Sequence, residues 1–334
     1  MNVHRTLALL ASLLLFSTIG FSQDPVNNSL IAFTIPEKDL LPESVAYDAQ
    51  TGSFFVGSTR KGKVMKIDKY GNQTEFINQT DNGLWMVIGM KADSQRRHLW
   101  LCSSGGDNLI GYNRKDDKEG RPAGIFKFNL DDGKLIEKYL LDEPATSHFF
   151  NDLIIARNGD VYATHMFGEA MIYKISAGAG HLEIFASDPS IQYPNGLALA
   201  DNGNDLFIAH SAGVSKLNLE TKVFSLMTTP QDIDIAKRAS IDGLYYYKWS
   251  LIGVQSSTKQ VIQLMLNENG TGFEEAKVLE REHPMMNRPT TGVLVGSDLY
   301  YIANAQFDNF DKNGSLFPME RMYEPVVLKV SVSK

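Results

Sequence analysis

From Ser29 onward the apolar residues fall in short runs bounded by Gly, Asn and Asp, and no long stretch shows the periodicity of an amphipathic helix. Runs of this kind, rich in Val, Ile, Phe, Tyr and Leu, predict β-strands joined by tight turns. The strands recur in a fixed order: an apolar strand, a turn such as Asn158-Gly159 or Asn202-Gly203, a second strand, then a third. Second strands begin at Phe54, Leu99, Val161, Leu206, Leu251 and Leu299, which makes six units. The residues just ahead of the six first strands are Glu43, Val87, Asn151, Asn195, Asp242 and Thr291, with spacings of 44, 64, 44, 47 and 49 residues. A period of roughly 40 to 50 residues with several strands in each repeat predicts the blades of a propeller. The one long spacing marks an insertion in the second unit, from Ser103 to Ala123, rich in Gly, Asp, Asn, Lys and Arg. The expectation is therefore an all-β, six-bladed β-propeller. Its last unit is one strand short, and the stretch from Ser29 to Ile35 is a strand without a unit. Pairing the two would close the ring and leave no open sheet edge, so residues 23–334 are expected to form a single domain.

Residues 1–22 stand apart. Arg5 supplies a positive start, residues 7–19 an apolar stretch too short to span a bilayer comfortably, and Gly20-Phe21-Ser22 a small-x-small cleavage site. This reads as a secretory signal, so the expected location is exported, periplasmic or secreted. Cys102 is the sole cysteine and lies in an apolar run, which excludes an internal disulfide and points to a buried thiol. The formal charge of -7 is spread along the chain without a basic run. That balance argues against nucleic acid or, once the leader is removed, a membrane surface as partner, and for a small molecule.

In a propeller the first strands of all blades run the same way around a central channel, so residues at their starts form a ring at one mouth. Here four of the six ring positions carry oxygen-bearing side chains that suit a metal: Glu43, Asn151, Asn195 and Asp242. Two carboxylates and two carboxamides offer hard oxygen ligands, which suits a divalent cation of the calcium type. Taken singly, Asn195-Gly196 and Asp242-Gly243 are also ordinary turn dipeptides. His148, His165 and His210 fall on the same side of the expected fold and are candidates for moving a proton near neutral pH. The insertion and the loop from Asn304 to Glu324 are expected to overhang the same mouth.

The motifs Phe150-Asn151-Asp152, Pro194-Asn195-Gly196-Leu197, Asp242-Gly243-Leu244 and Pro42-Glu43 resemble the family of senescence marker protein, gluconolactonase and luciferin-regenerating enzyme, with paraoxonases as more distant relatives. The resemblance runs over nearly all of the chain after the leader. It implies a hydrolase of lactones or related esters that uses a divalent ion at the channel mouth, calcium or else Mg2+, Mn2+ or Zn2+. It implies Glu43, Asn151, Asn195 and Asp242 as the metal ligands and Asp242 as the first choice of general base. Asp152 would orient Asn151 from behind. Two positions depart from the pattern. Phe149 stands where sugar-lactonase members carry a substrate-contacting Arg, and Ser44 stands where paraoxonases carry an Asp that helps hold a second calcium. Two other readings are compatible with the same residues: an exported propeller that binds a small molecule or protein without turnover, and a metal-free enzyme resembling strictosidine synthase.

Overall fold

The computed structural model describes residues 24–78, 82–112, 121–141, 146–167 and 171–333; the leader expected at 1–22 lies outside them. Among the described residues twenty-four strands form six four-stranded antiparallel sheets. Strand β1 (Leu30–Thr34) comes first in the chain but belongs to the last blade. Blade 1 is β2 (Pro42–Asp48), β3 (Ser53–Ser58), β4 (Val64–Ile67) and β5 (Gln73–Ile77). Blade 2 is β6 (Met86–Asp93), β7 (His98–Ser104), β8 (Ala123–Asn129) and β9 (Leu135–Leu141). Blade 3 follows with β10 (Phe150–Ile155), β11 (Val161–His165), β12 (Met171–Ile175) and β13 (Glu183–Ser187). Blade 4 contains β14 (Leu197–Leu199), β15 (Asp205–His210), β16 (Gly213–Asn218) and β17 (Phe224–Leu226). Blade 5 contains β18 (Leu244–Tyr246), β19 (Ser250–Gln255), β20 (Gln260–Leu266) and β21 (Phe273–Arg281). Blade 6 is β22 (Gly292–Val295), β23 (Asp298–Ile302) and β24 (Val326–Ser331), completed by β1. Among the described residues no helix is long and apolar enough to cross a membrane.

The alternation of side chains along each strand explains why the blades stack into a ring. In blade 5, Leu251 joins the cluster shared with blade 4, while its neighbour Ile252 joins the cluster shared with blade 6. Phe55 and Val56 divide in the same way between blades 2 and 6. A strand apolar on both faces is therefore what this architecture demands, and six apolar clusters fill the six gaps between blades. Each large aliphatic side chain buried in these gaps contributes about 1.5–3 kcal/mol relative to leaving it in water. Cys102 is fully buried in one of them, and burial pushes its thiol up, away from reactivity.

β1 pairs antiparallel with β24, matching Ile31 to Leu328 and Phe33 to Val327, with a bulge between. Just before it, the Asn28 and Ser29 amides both donate to Glu280 Oε2 on blade 5, and Ser29 Oγ lies 2.9 Å from the Tyr301 hydroxyl. The insertion in blade 2 is narrower than the sequence suggested, because Ser103 and Ser104 continue β7 and Ala123 already belongs to β8. Gly105 N donates to Pro122 O and extends that ladder.

Candidate functional site

The starts of the innermost strands are tied to one another from blade to blade. Ser104 Oγ lies 3.1 Å from the amide of Phe150 and 3.3 Å from its carbonyl. Thr164 Oγ1 donates to the Asn195 carbonyl, and Gly196 N to the Asp242 carbonyl. The hydroxyls of Thr290 and Thr291 both donate to the Glu43 carbonyl. The backbones that carry the four oxygen side chains are thus fixed in register around the channel.

Glu43 and Asn151 do not precede their strands but lie within β2 and β10, each at a bulge where the register shifts. A third bulge follows Val87 in β6. A bulge inserts one residue and turns its neighbours' side chains off the regular alternation. Asn195 and Asp242 stand two residues ahead of β14 and β18. Gly196 and Gly243 are not turn glycines here. A Cβ on Gly196 would sit 2.4 Å from Asp242 O and 2.5 Å from Leu244 N, and one on Gly243 would sit 3.0 Å from Thr291 Cα. Their role is to let neighbouring inner strands approach. Leu41 and Tyr193, each followed by Pro and then by Glu43 or Asn195, hold φ at 44° and 54°. Both lie in the left-handed region, which costs a non-glycine residue about 1–2 kcal/mol. Strain of this kind two residues ahead of two ring positions marks where backbone comfort gives way to side-chain placement.

The electrostatics single out the same residues. Burial pushes the Glu43 carboxyl well above its usual range, and the nearby Asp242 and Asp152 carboxylates push it further. Burial also raises Asp242 to about 7, opposed by the Asn195 carboxamide and reinforced by Asp152. Asn151 Oδ1 and Asn195 Oδ1 are buried and accept no hydrogen bond. An unsatisfied buried acceptor costs about 1–3 kcal/mol, so two of them beside two crowded carboxyls is an arrangement that folding alone does not favour. Among the described residues no group of three His, Cys, Asp or Glu side chains could hold a metal. The candidate set instead takes half of its oxygens from amides. That chemistry fits a hard divalent cation, which would satisfy both orphaned carbonyls and remove the reason for protonating the carboxyls.

The remaining predicted residues are distributed unevenly. His148 and His165 meet, Nδ1 to Nε2, at 3.0 Å, and both are buried. His148 lies three residues before Asn151, while His165 packs edge-on against Phe150 and Tyr173 between blades 2 and 3. His210 is otherwise occupied. Its Nδ1 accepts from the Ala212 amide and its Nε2 contacts Ser215 Oγ at 2.9 Å, which fits the neutral ring that burial favours and ties it to its own hairpin. Asp152 takes its hydrogen bonds from Leu153 N, Leu197 N and Lys91 Nζ, the last at 2.7 Å, and none from Asn151. Lys91 is a site residue the sequence reading passed over. Its signal was a charge next to the apolar run 86–90 of the first strand. Ser44 Oγ is buried without a partner. Phe149 packs against Phe167, and the Arg121 guanidinium lies over both rings. Arg121, inside the insertion, carried no signal in the sequence.

No protein-family model matches the chain, and no curated protein does. Solved structures do. A gluconolactonase from Xanthomonas campestris superimposes with a TM-score of 0.60 at 12% identity, over 93% of this chain and 95% of that one. The major Malassezia sympodialis allergen Mala s 1 gives 0.67 at 15% identity, over 92% and 97%. A luciferin-regenerating enzyme gives 0.57 at 14% identity, over 92% and 95%. The structural neighbours thus include the enzymes named by the sequence motifs, and at these identities the likeness is one of fold, the six-bladed propeller.

Proposed function

We propose that this chain is an exported, divalent-cation-dependent hydrolase of lactones or related esters. The observation that supports this reading best is the pair of buried carboxamide oxygens, Asn151 Oδ1 and Asn195 Oδ1, left without donors beside two carboxyls raised by burial. Glu43, Asn151, Asn195 and Asp242 would hold the cation, with calcium the best match to an all-oxygen set. When bound, the cation would polarise a substrate carbonyl and stabilise negative charge developing on its oxygen. With the cation bound, Asp242 would act as the ionised carboxylate and accept a proton from the attacking water. His148 is the next acceptor, and its contact with His165 gives the proton a route away from the mouth. Phe149 and Phe167 form an apolar wall that limits water. Gluconolactonases on similar propellers lend support to a lactone as the substrate class. The leader at 1–22 supports export.

The test is calorimetric titration with calcium, followed by a lactone and ester panel with and without chelator. We expect one cation per chain, hydrolysis that stops in chelator, and a loss of at least about 100-fold in Asp242→Ala and Asn195→Ala, the scale of removing charge stabilisation at a developing oxyanion. Activity retained in chelator or in both variants would overturn the proposal. Calcium binding without turnover of any lactone or ester would leave a ligand-binding propeller as the better reading.

A further inference from the structure

Arg121 is only 8% exposed as a whole residue, but its guanidinium nitrogens are not sealed from water, and among the described residues it has no carboxylate partner and no hydrogen bond to its side chain. Its contacts are the rings of Phe149 and Phe167, at 5.7 and 5.0 Å from the guanidinium carbon. Aromatic faces attract the cation but accept none of its five N–H groups. A guanidinium held against two rings, with its N–H groups reaching solvent and no protein acceptor, can donate to a ligand that supplies one.

The position of Arg121 says what that ligand would be. Its carbonyl accepts from His148 N, and Phe149 O accepts from Met166 N. Met166 Sδ in turn touches Asn151 Nδ2 at 3.9 Å. The guanidinium, its two rings and Met166 therefore form a continuous wall that ends at one of the four oxygen side chains. We propose that Arg121 binds a carboxylate carried by the substrate, so that the preferred lactones or esters bear an acidic group on the carbon attached to the ester oxygen. This rests on the hydrolase reading for the word substrate, but the anion site stands on the guanidinium and its lack of a protein acceptor alone. A guanidinium presents paired donors to a carboxylate, a geometry that an ammonium does not reproduce. An acidic group held there would be kept apart from Glu43 and Asp242, whose own charge would repel it.

The probe is tetrahydrofuroate, compared with its neutral counterpart tetrahydrofurfuryl alcohol, titrated calorimetrically into the calcium-loaded protein, the Arg121→Met variant and the Arg121→Lys variant. Any carboxylate affinity for the cation is common to all three. We expect the wild type to prefer the acid by at least about tenfold, Arg121→Met to lose that preference, and Arg121→Lys to keep part of it, as a charged hydrogen bond requires. An acid preference that is the same in wild type and Arg121→Met overturns the proposal, as does failure of the wild type to bind tetrahydrofuroate. Thermal midpoints show whether each variant is folded, and Arg121→Lys retains the charge should Arg121→Met not fold. Hydrolysis of γ-butyrolactone and its γ-carboxy derivative separates the two readings. Turnover of neither, with the binding preference still lost in Arg121→Met, sinks the hydrolase and leaves the anion site. Calcium-dependent turnover without any effect of Arg121→Met does the reverse.

Discussion

At the scale of single residues the channel mouth is a set of groups that the fold makes uncomfortable and an ion would relieve. Asp242 shows the consequence for pH. Its usual carboxyl value is 3.8 and burial, followed by the Asp152 charge, raises it to about 7. Between those limits the folded protein holds a proton that the unfolded chain has released, so this residue contributes less to stability as pH rises through the window. Binding of the proposed cation would have the opposite sign, because it would require Asp242 and the similarly raised Glu43 to be ionised. Thermal midpoints in chelator and in calcium, compared at about pH 6 and about pH 8, test both signs. The midpoint shift caused by calcium should grow at the higher pH, and Asp242→Asn should flatten the fall seen in chelator. A calcium shift that does not change with pH would remove Asp242 from the ligand set. The types of these residues were legible in the sequence because hard-oxygen chemistry depends on composition. Lys91, which pairs with the neighbouring Asp152, was harder to see, since a charge near the polar end of an apolar strand reads equally well as an edge position.

At the scale of elements, the six second strands could be read directly because apolar residues on both faces leave a continuous run. The bulges at Glu43 and Asn151 could not, because a bulge is a relation between two strands and only one is present in any stretch of sequence. The same reason hid the role of Gly196. As part of Asn-Gly it signals a turn, whereas in the ring its missing side chain lets β14 lie against the start of β18, with its amide donating to the Asp242 carbonyl. Gly196→Ala would place a methyl against two backbone atoms that cannot rotate away, at 2.4 and 2.5 Å. The expected cost is about 1–3 kcal/mol of stability, the usual range for overpacking. Calcium affinity should fall as well, because the strain is relieved by parting the residues that carry Asn195 and Asp242. Denaturant midpoints and calorimetry measure the two effects separately. A variant as stable as wild type with undiminished calcium affinity would show that the inner strands are not held at close contact.

At the scale of the whole molecule, the ring closes where the chain's earliest described strand joins its last blade. The repeat length and the missing sixth-blade strand revealed this in the sequence, since both are counts. They could not show that the closing segment is also fastened to blade 5. The side chain responsible is Glu280, fully buried, with one oxygen accepting from the backbone amides of Asn28 and Ser29. Strand β1 by itself is a poor anchor: Leu30 and Ile31 are 65% and 51% exposed, and its pairing with β24 is interrupted by a bulge. The carboxylate therefore carries much of the closure. Glu280→Ala would strand two amide donors and leave a cavity, at a cost of about 1–3 kcal/mol. Glu280→Gln keeps an acceptor oxygen and should fall between it and wild type. Because the lost contacts lie at the seam, opening should begin there, as faster amide exchange and earlier proteolytic cutting within residues 24–34 before any other blade is affected. The inner ring would then lose the tie from Thr290 and Thr291 to Glu43, so calcium should slow cutting at the seam in the variant. Cutting spread evenly over all six blades would mean that the ring has no seam and that closure depends on stacking alone.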